Sequence, residues 1–472
     1  MSAVKNTVSH AGIYALGNII RYMASFLMLP VYTRYLSPAD YGILELLSMV
    51  TDLAGIVFGM RIGEAILRNY AERETTQQKN SVITTSMALH ALTFGVGVVG
   101  LLAAAQPISV LVFGSSEFTD YVRMFAVILF LQALSEVPLV FIRARQKPWL
   151  FVRLSVLKLL LQLGFNIYFV VFQGLRIEGV IYGTLLSSGI YTVLLVVLTI
   201  RVTGLVRPDV SLGQRMFGFS LPLMLADIGS FYLTFGDRYF LRVFSDFSEI
   251  GIYALAYKFG FLLVYLVGVP FSNVWDTQKY HIQKKPDARQ IFQRTFLMFS
   301  FVIIFVGLGI SLFVGDVLKL MSAPEFWAAS RIVPVIIVAY IVHMWFFYCS
   351  FGIFLSGNTS QITYAAIAAS LAITAAYFLL IPPFGGMGAA LATLFAFLVR
   401  LVWVDVTARK HYDMNLPWGK VISILGVAVS VFFVGNAWSP EQWILSLLWK
   451  GALCLMYLGL FLIVPIFTDR QK

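Results

Sequence analysis

Charge is what this sequence has least of. Asp, Glu, Lys and Arg together make up 12% of its 472 residues, against 59% hydrophobic residues, and the mean hydropathy is +0.85. Soluble domains carry about 25% charged residues, so a water-soluble fold is excluded and a bilayer is implied. Cysteine is nearly absent as well. The two present, Cys349 and Cys454, both fall inside apolar runs, which leaves neither a disulfide framework nor a cysteine metal site. A P-loop glycine motif, an HExxH helix and a nucleophile elbow are also missing, removing the usual signatures of nucleotide hydrolysis, zinc hydrolysis and acyl transfer. No polar stretch is long enough to form a sizeable soluble domain.

What is present is a succession of apolar segments, each close to the ~20 residues a spanning helix needs. They fall near 11–36, 41–68, 81–105, 119–142, 149–172, 178–201, 213–241, 250–278, 290–314, 326–355, 361–381, 387–408, 418–436 and 442–466. The expectation is an all-α polytopic membrane protein with about fourteen transmembrane helices. The first segment is too long for a signal-peptide core, has no small-residue cleavage site and is read as retained. Lys and Arg are held on the cytoplasmic side, and the loops carrying Arg73 and Lys79, Arg143 to Lys147, Arg201 and Arg207, Lys284 to Arg289, and Arg409 and Lys410 all fall on one face. The opposite loops carry chiefly Arg34, Arg176, Arg242 and Lys319. Both termini are therefore expected in the cytoplasm. The net charge of +11 is a topology signal with attraction to anionic membrane lipid, and no nucleic-acid partner is needed.

The chain also repeats itself. "YLSPADYGILEL" at 35–46 and "VFSDFSEIGIYAL" at 243–255 both read as helix starts, with Ser37, Asp40, Gly42 and Leu46 matched by Ser245, Glu249, Gly251 and Leu255. The displacement is close to half the chain. Two parallel six-helix bundles are expected, 1–205 and 206–410, followed by an additional helix pair at 411–472. Parallel duplication about an axis along the membrane normal is a transporter architecture, with the substrate site at the repeat interface near the midplane.

An N-terminal segment with an internal Arg21, then "TRYLSPADYGILEL", then a second segment closing in "GEAILRNYAE", resembles the Wzx-like polysaccharide flippases of the multidrug, oligosaccharidyl-lipid and polysaccharide exporter superfamily. The resemblance implies a V-shaped central cleft in the cytoplasmic (inner) membrane. It implies a carrier that moves a polyprenyl-pyrophosphate-linked oligosaccharide, of the undecaprenyl pyrophosphate type, between leaflets by alternating access, with polysaccharide assembly proteins as possible partners. No cofactor, metal or enzymatic role is expected.

Ionisable residues deep in spanning helices are costly and so mark function or pairing. Arg21 lies about ten residues into its segment, roughly 15 Å at the helical rise, and Arg61 lies at similar depth in the second. Together they read as a basic patch for pyrophosphate, which suits bidentate guanidinium donors. The plainer reading of Arg61 is an intrahelical ladder with Glu64 and Arg68. Lys158 beside Gln162, and Lys258 within reach of Asp227, are either anion contacts or structural pairs. Asp52, Glu45 and Asp227 are candidates for ion coupling. Pro222, Gly229 and Gly236 mark a hinge in the seventh segment, while Glu136, His90 and His343 read as packing polar groups. The competing readings are a cation-coupled multidrug exporter of the same superfamily, which would want an acidic cavity, and a membrane glycosyltransferase or polymerase, which would want a long outer loop.

Overall fold

The second apolar segment begins as its sequence dictates. Ser37 stands at the N-cap, its Oγ accepting the Asp40 N–H at 3.2 Å, while Asp40 Oδ2 accepts the Ser37 N–H at 2.9 Å. This is a reciprocal capping box with Pro38 at the first helical position. The eighth segment begins the same way, but its cap is Asp246, one residue past the expected Ser245, and its Oδ1 accepts the Glu249 N–H at 2.8 Å. A carboxylate caps at least as well as a hydroxyl. The shift makes the repeat regular: Ser37 and Asp246, Asp40 and Glu249, Gly42 and Gly251, Leu46 and Leu255 share one displacement of 209 residues.

The computed structural model describes residues 26–204, 206–438, 440 and 442–463, and the regular structure among them is helical throughout. The chain forms two compact units that divide at Arg242 and Val243. The first holds α1 (Leu29–Tyr35), α2 (Pro38–Gly59), α3 (Ile62–Ala71), α4 (Thr76–Ala103), α5 (Ala105–Phe113), α6 (Thr119–Ala144), α7 (Pro148–Asn166) with a π-helical extension Ile167–Phe172, and α8 (Ile177–Thr203). It closes with α9 (Val210–Phe244), which ends at the division. The second holds α10 (Phe247–Leu263), a π-turn Val264–Gly268, α11 (Val269–Ile282), α12 (Ala288–Met321), α13 (Ala329–Cys349), α14 (Phe351–Ser356), α15 (Ser360–His411), α16 (Trp418–Ala437) and α17 (Trp443–Ile463).

Eleven helices among the described residues are long and apolar enough to cross a membrane. Three features relate that number to the fourteen expected. Most of the first segment lies outside the described residues. The eleventh and twelfth run together as α15, bent at Gly385 with φ 53° and ψ −130°. The last appears as the shorter apolar stretch Trp443–Gly459.

Packing and helix count treat α9 differently. By count it opens the second bundle at 206, yet its N-terminal half packs in the first unit, where Leu212 and Met216 join Ile62, Ala65, Ile66, Val82, Ile83, Val137, Val140 and Phe141 in one buried cluster. Its entry is tied there too, by the Asp209 N–H donating to Thr85 Oγ1 at 2.9 Å. Hydrogen bonds from the Leu212 N–H and the Ser211 hydroxyl hold the exposed Asp209 carboxyl below the ordinary carboxylate range.

Both units tie the start of their repeated helix to the same place. In the first, Asp40 also accepts from Arg176, immediately before α8. In the second, Glu249 Oε1 accepts the Gly386 N–H at 2.7 Å, immediately after the bend in α15. Residues 176 and 385 are again 209 apart, as are Gly179 and Gly388. Each of these glycines lies against backbone of the preceding segment. A Cβ on Gly179 would stand 3.1 Å from the Phe169 carbonyl, and one on Gly388 would stand 2.0 Å from Leu380 O. Small residues let backbones approach where lipid supplies no hydrophobic drive between helices.

The few basic residues expected on the sparse face are mostly engaged. Arg176 meets Asp40, Arg242 donates from Nε to the Phe113 carbonyl at 2.8 Å at the end of α5, and Lys319 lies 5.9 Å over the Trp327 ring. The C-terminal helix pair is fixed in the second unit by Lys450 Nζ and Asp316 Oδ2 at 2.5 Å, both side chains nearly buried.

Candidate functional site

The second segment is not the single helix expected from 41 to 68. Met60 and Arg61 both adopt the left-handed conformation, at φ 45° and 48°, between α2 and α3. Left-handed backbone costs roughly 1–2 kcal/mol for each residue with a Cβ. Burial offsets it: Ile62 and Ile66 are 4% and 0% exposed in the first unit's core, and such side chains contribute about 1.5–3 kcal/mol each. The backbone stays paired across the break, with Met60 N–H donating to Ile56 O at 3.1 Å and Glu64 N–H to Arg61 O at 3.2 Å.

The break aims Arg61 into a cavity of about 610 Å³ in the first unit. Its charged and polar lining comes from Asp52, Arg61, Gln132, Glu136, Arg143, Lys158 and Asp227, set among Phe94, Leu129, Phe231 and Phe235. Arg61 and Asp227 form a fork, Nε to Oδ2 at 2.5 Å and Nη2 to Oδ1 at 2.8 Å. Glu64 Oε1 lies 3.5 Å from Nη1, and Arg61 remains 46% exposed. Only the first rung of the expected intrahelical ladder is present, since Arg68 pairs with Glu72 at 3.2 Å.

The cavity therefore collects Asp52, Lys158 and Asp227 from three helices and Arg61 from the break between α2 and α3. Lys158 lies 5.4 Å over the Tyr191 ring. Glu45 bears electrostatically on Asp52 without lining the cavity, and Lys258 sits on α10 in the second unit. Arg21 lies outside the described residues. Pro222, Gly229 and Gly236 lie along α9, which runs through them unbroken.

Sequence reasoning missed Arg143, Gln132 and Glu136 as lining. Arg143 was counted as a loop charge, whereas α6 continues to Ala144. Glu136 was read as a packing group; its Oε2 does lie 3.3 Å from Nε2 of the buried His90, but its side chain is half exposed in the cavity. The Asp237–Arg238 pair that opens "DRYFLRVFSDFSE", a stretch open to misreading as an acidic catalytic loop, is buried, at 2.7 Å and 0% and 2% exposed. Its signal was legible, as two adjacent charges inside an apolar segment. By count the described lining balances three cations against three carboxylates.

Comparison with known proteins agrees with this architecture. A family model for polysaccharide biosynthesis proteins matches residues 31–331. The chain belongs to that family of polytopic membrane proteins. Its fold is similar to that of the lipid II flippase MurJ in an inward closed conformation, with a TM-score of 0.68 at 14% identity over 95% of this chain and 98% of that one. It is also similar to an inward-facing multidrug resistance MATE family transporter of the MOP superfamily, with a TM-score of 0.66 at 15% identity over 84% and 98%. A mutant of the Vibrio cholerae MATE transporter VcmN gives 0.55 at 16% identity over 88% and 99%. No curated protein matches. At such identities the likeness shows the fold alone.

Proposed function

We propose that this protein is a flippase that carries a polyprenyl-pyrophosphate-linked oligosaccharide from the inner to the outer leaflet of the cytoplasmic membrane, with both termini in the cytoplasm. Alternating access of the two repeats, 1–205 and 206–410, moves the substrate, and polysaccharide assembly proteins supply and receive it. The protein acts as a carrier and not as an enzyme.

One observation carries this reading: a guanidinium at a helix break already holds an oxyanion in fork geometry, facing a cavity that also presents Arg143 and Lys158. A pyrophosphate offers the same bidentate partner with more charge. It exchanges with Asp227 on Arg61, and Lys158, Arg21 and Lys258 complete the phosphate path. The displaced Asp227, with Asp52 and Glu45, is the point at which ion coupling enters, because a carboxylate that loses its guanidinium partner in a spanning helix needs another cation. Bending of α9 at Pro222, Gly229 and Gly236 accompanies the exchange.

A second reading, cation-coupled multidrug export, is favoured by Asp52 and Glu136 in the same cavity. Proteoliposomes holding a fluorescent polyprenyl-pyrophosphate oligosaccharide separate the two, with leaflet transfer read by quenching from outside. Transfer by the wild type and none by Arg21→Ala, with that variant folded in the membrane, is the expected result. Drug uptake without lipid transfer would establish the second reading.

A further inference from the structure

The second unit contains a deep cation that no carboxylate among the described residues answers. Arg400 lies eleven residues before His411, the end of α15, or roughly 16 Å along the axis, too deep for its head to snorkel to the interface. It shares a helical face with Thr393, Ala396, Phe397 and Val404, each at most 2% exposed. Among the described residues it forms no ion pair, and its Nε is buried without a hydrogen-bond partner.

What Arg400 has is an aromatic floor, with its Cζ 3.8 Å over the Phe346 ring. Cation–π attraction offsets only part of what an Arg at the centre of a spanning helix costs, so the ring alone leaves a deficit. His343 stands three residues before Phe346 on α13, with its ring 4.6 Å from Phe397 and stacked 6.2 Å from the same Phe346 ring that Arg400 overlies. Its Nδ1 is likewise buried without a partner. Two orphaned ring and guanidine nitrogens thus share one aromatic setting.

We infer that Arg400 and His343 form an oxyanion site in the second unit, taking a phosphate or carboxylate group in bidentate contact with the guanidinium while Phe346 backs its other face. The site deepens the flippase reading, on which its choice of ligand rests, although the residues of the first-unit cavity have no part in it. Its depth among aromatic side chains calls for an oxyanion borne on an amphipathic molecule. That group is either the pyrophosphate of a lipid carrier or the carboxylate of an acidic sugar.

The full chain in phosphatidylcholine nanodiscs tests this, in an Arg61→Gln background so that the first-unit fork does not contribute. The probes are farnesyl pyrophosphate against farnesol, and octyl glucuronide against octyl glucoside, read by thermal shift and tryptophan fluorescence. One charged probe of the two is expected to bind saturably and its neutral partner not. Arg400→Gln should weaken that binding about tenfold or more, the worth of a lost charged hydrogen bond, with Arg400→Lys intermediate because a point charge lacks the fork. A pyrophosphate response assigns the lipid carrier, and a glucuronide response an acidic sugar. No binding of either, or equal binding with Gln or Lys at 400, overturns the site. Lipid transfer is not measured, so failure here leaves the flippase reading standing.

Discussion

The two repeats interrupt the α-helix of their second span near the same register and do so by different chemistry. In the first, Met60 and Arg61 break the chain into α2 and α3 in left-handed backbone. In the second, the positions 209 residues on are Val269 and Pro270, where the π-turn Val264–Gly268 hands over to α11 without leaving helical space. Pro270 has no N–H to give, and a π-turn is the ordinary accommodation for a missing bond. The first repeat has no proline there and stores strain instead, of order 1–3 kcal/mol per residue. What sits at each bend differs accordingly. The strained one carries an Arg–Asp fork into a charged cavity. The relaxed one leads into a cavity of about 280 Å³ walled by Phe271, Trp275, Phe299 and Tyr348, with Asp276 and Lys279 at its edge. Both spans interrupt the α-helix near this register, and the chemistry at the interruption differs.

The comparison breaks most sharply at Arg61. Arg61→Ala is expected to reduce lipid-linked oligosaccharide transfer to below about one tenth, since it removes a charged fork worth several kcal/mol, and Arg61→Lys to recover part of it. Pro270→Ala in the second repeat should leave transfer within about twofold. Equal losses would mean that the bend matters and the charge does not.

The paired glycines give the next largest effect. Gly388→Ala places a methyl group 2.0 Å from a carbonyl oxygen and Gly179→Ala places one at 3.1 Å. Overpacking costs about 1–3 kcal/mol. Thermal unfolding in detergent should put the first at or beyond the top of that range and the second near the bottom.

Removing the N3 acid should cost less. Asp40→Ala loses the reciprocal half of the cap and the Arg176 contact, about 1–2 kcal/mol, whereas Glu249→Ala loses only the bond from the Gly386 N–H, about 1 kcal/mol, because the Asp246 cap is made to the Glu249 backbone N–H. A double variant with Arg176→Ala measures the coupling directly. The smallest effect is a difference between two variants that both lose the buried Met60 side chain: Met60→Gly should be more stable than Met60→Ala by a few tenths to about 1 kcal/mol, because glycine takes φ 45° without a Cβ penalty. Equal stability of the two would show that the break is relaxed and not strained.

Much of this was legible beforehand. The apolar segments, the capping signals at Ser37 and Glu249 and the half-chain displacement are local patterns, and local patterns report helix starts well. The cap at Asp246 was missed by one residue because Ser245 and Asp246 are equally good caps in isolation. Arg143 and Glu136 were missed because their depth depends on how far α6 extends past Pro138, and neighbouring helices decide whether a proline ends a membrane helix.

Composition and periodicity by themselves determined that the chain spans a membrane, where its helices start and that it is duplicated, because hydrophobic length and capping chemistry are read a turn at a time. Only the tertiary structure decided that Arg61 meets Asp227, that Lys158 and Glu136 share its cavity, and that Arg400 faces a phenylalanine and not a carboxylate. These are meetings of side chains scores to hundreds of residues apart. They depend on which face of each helix turns inward, and in a bilayer, where lipid is as apolar as the core, hydrophobicity does not distinguish the faces.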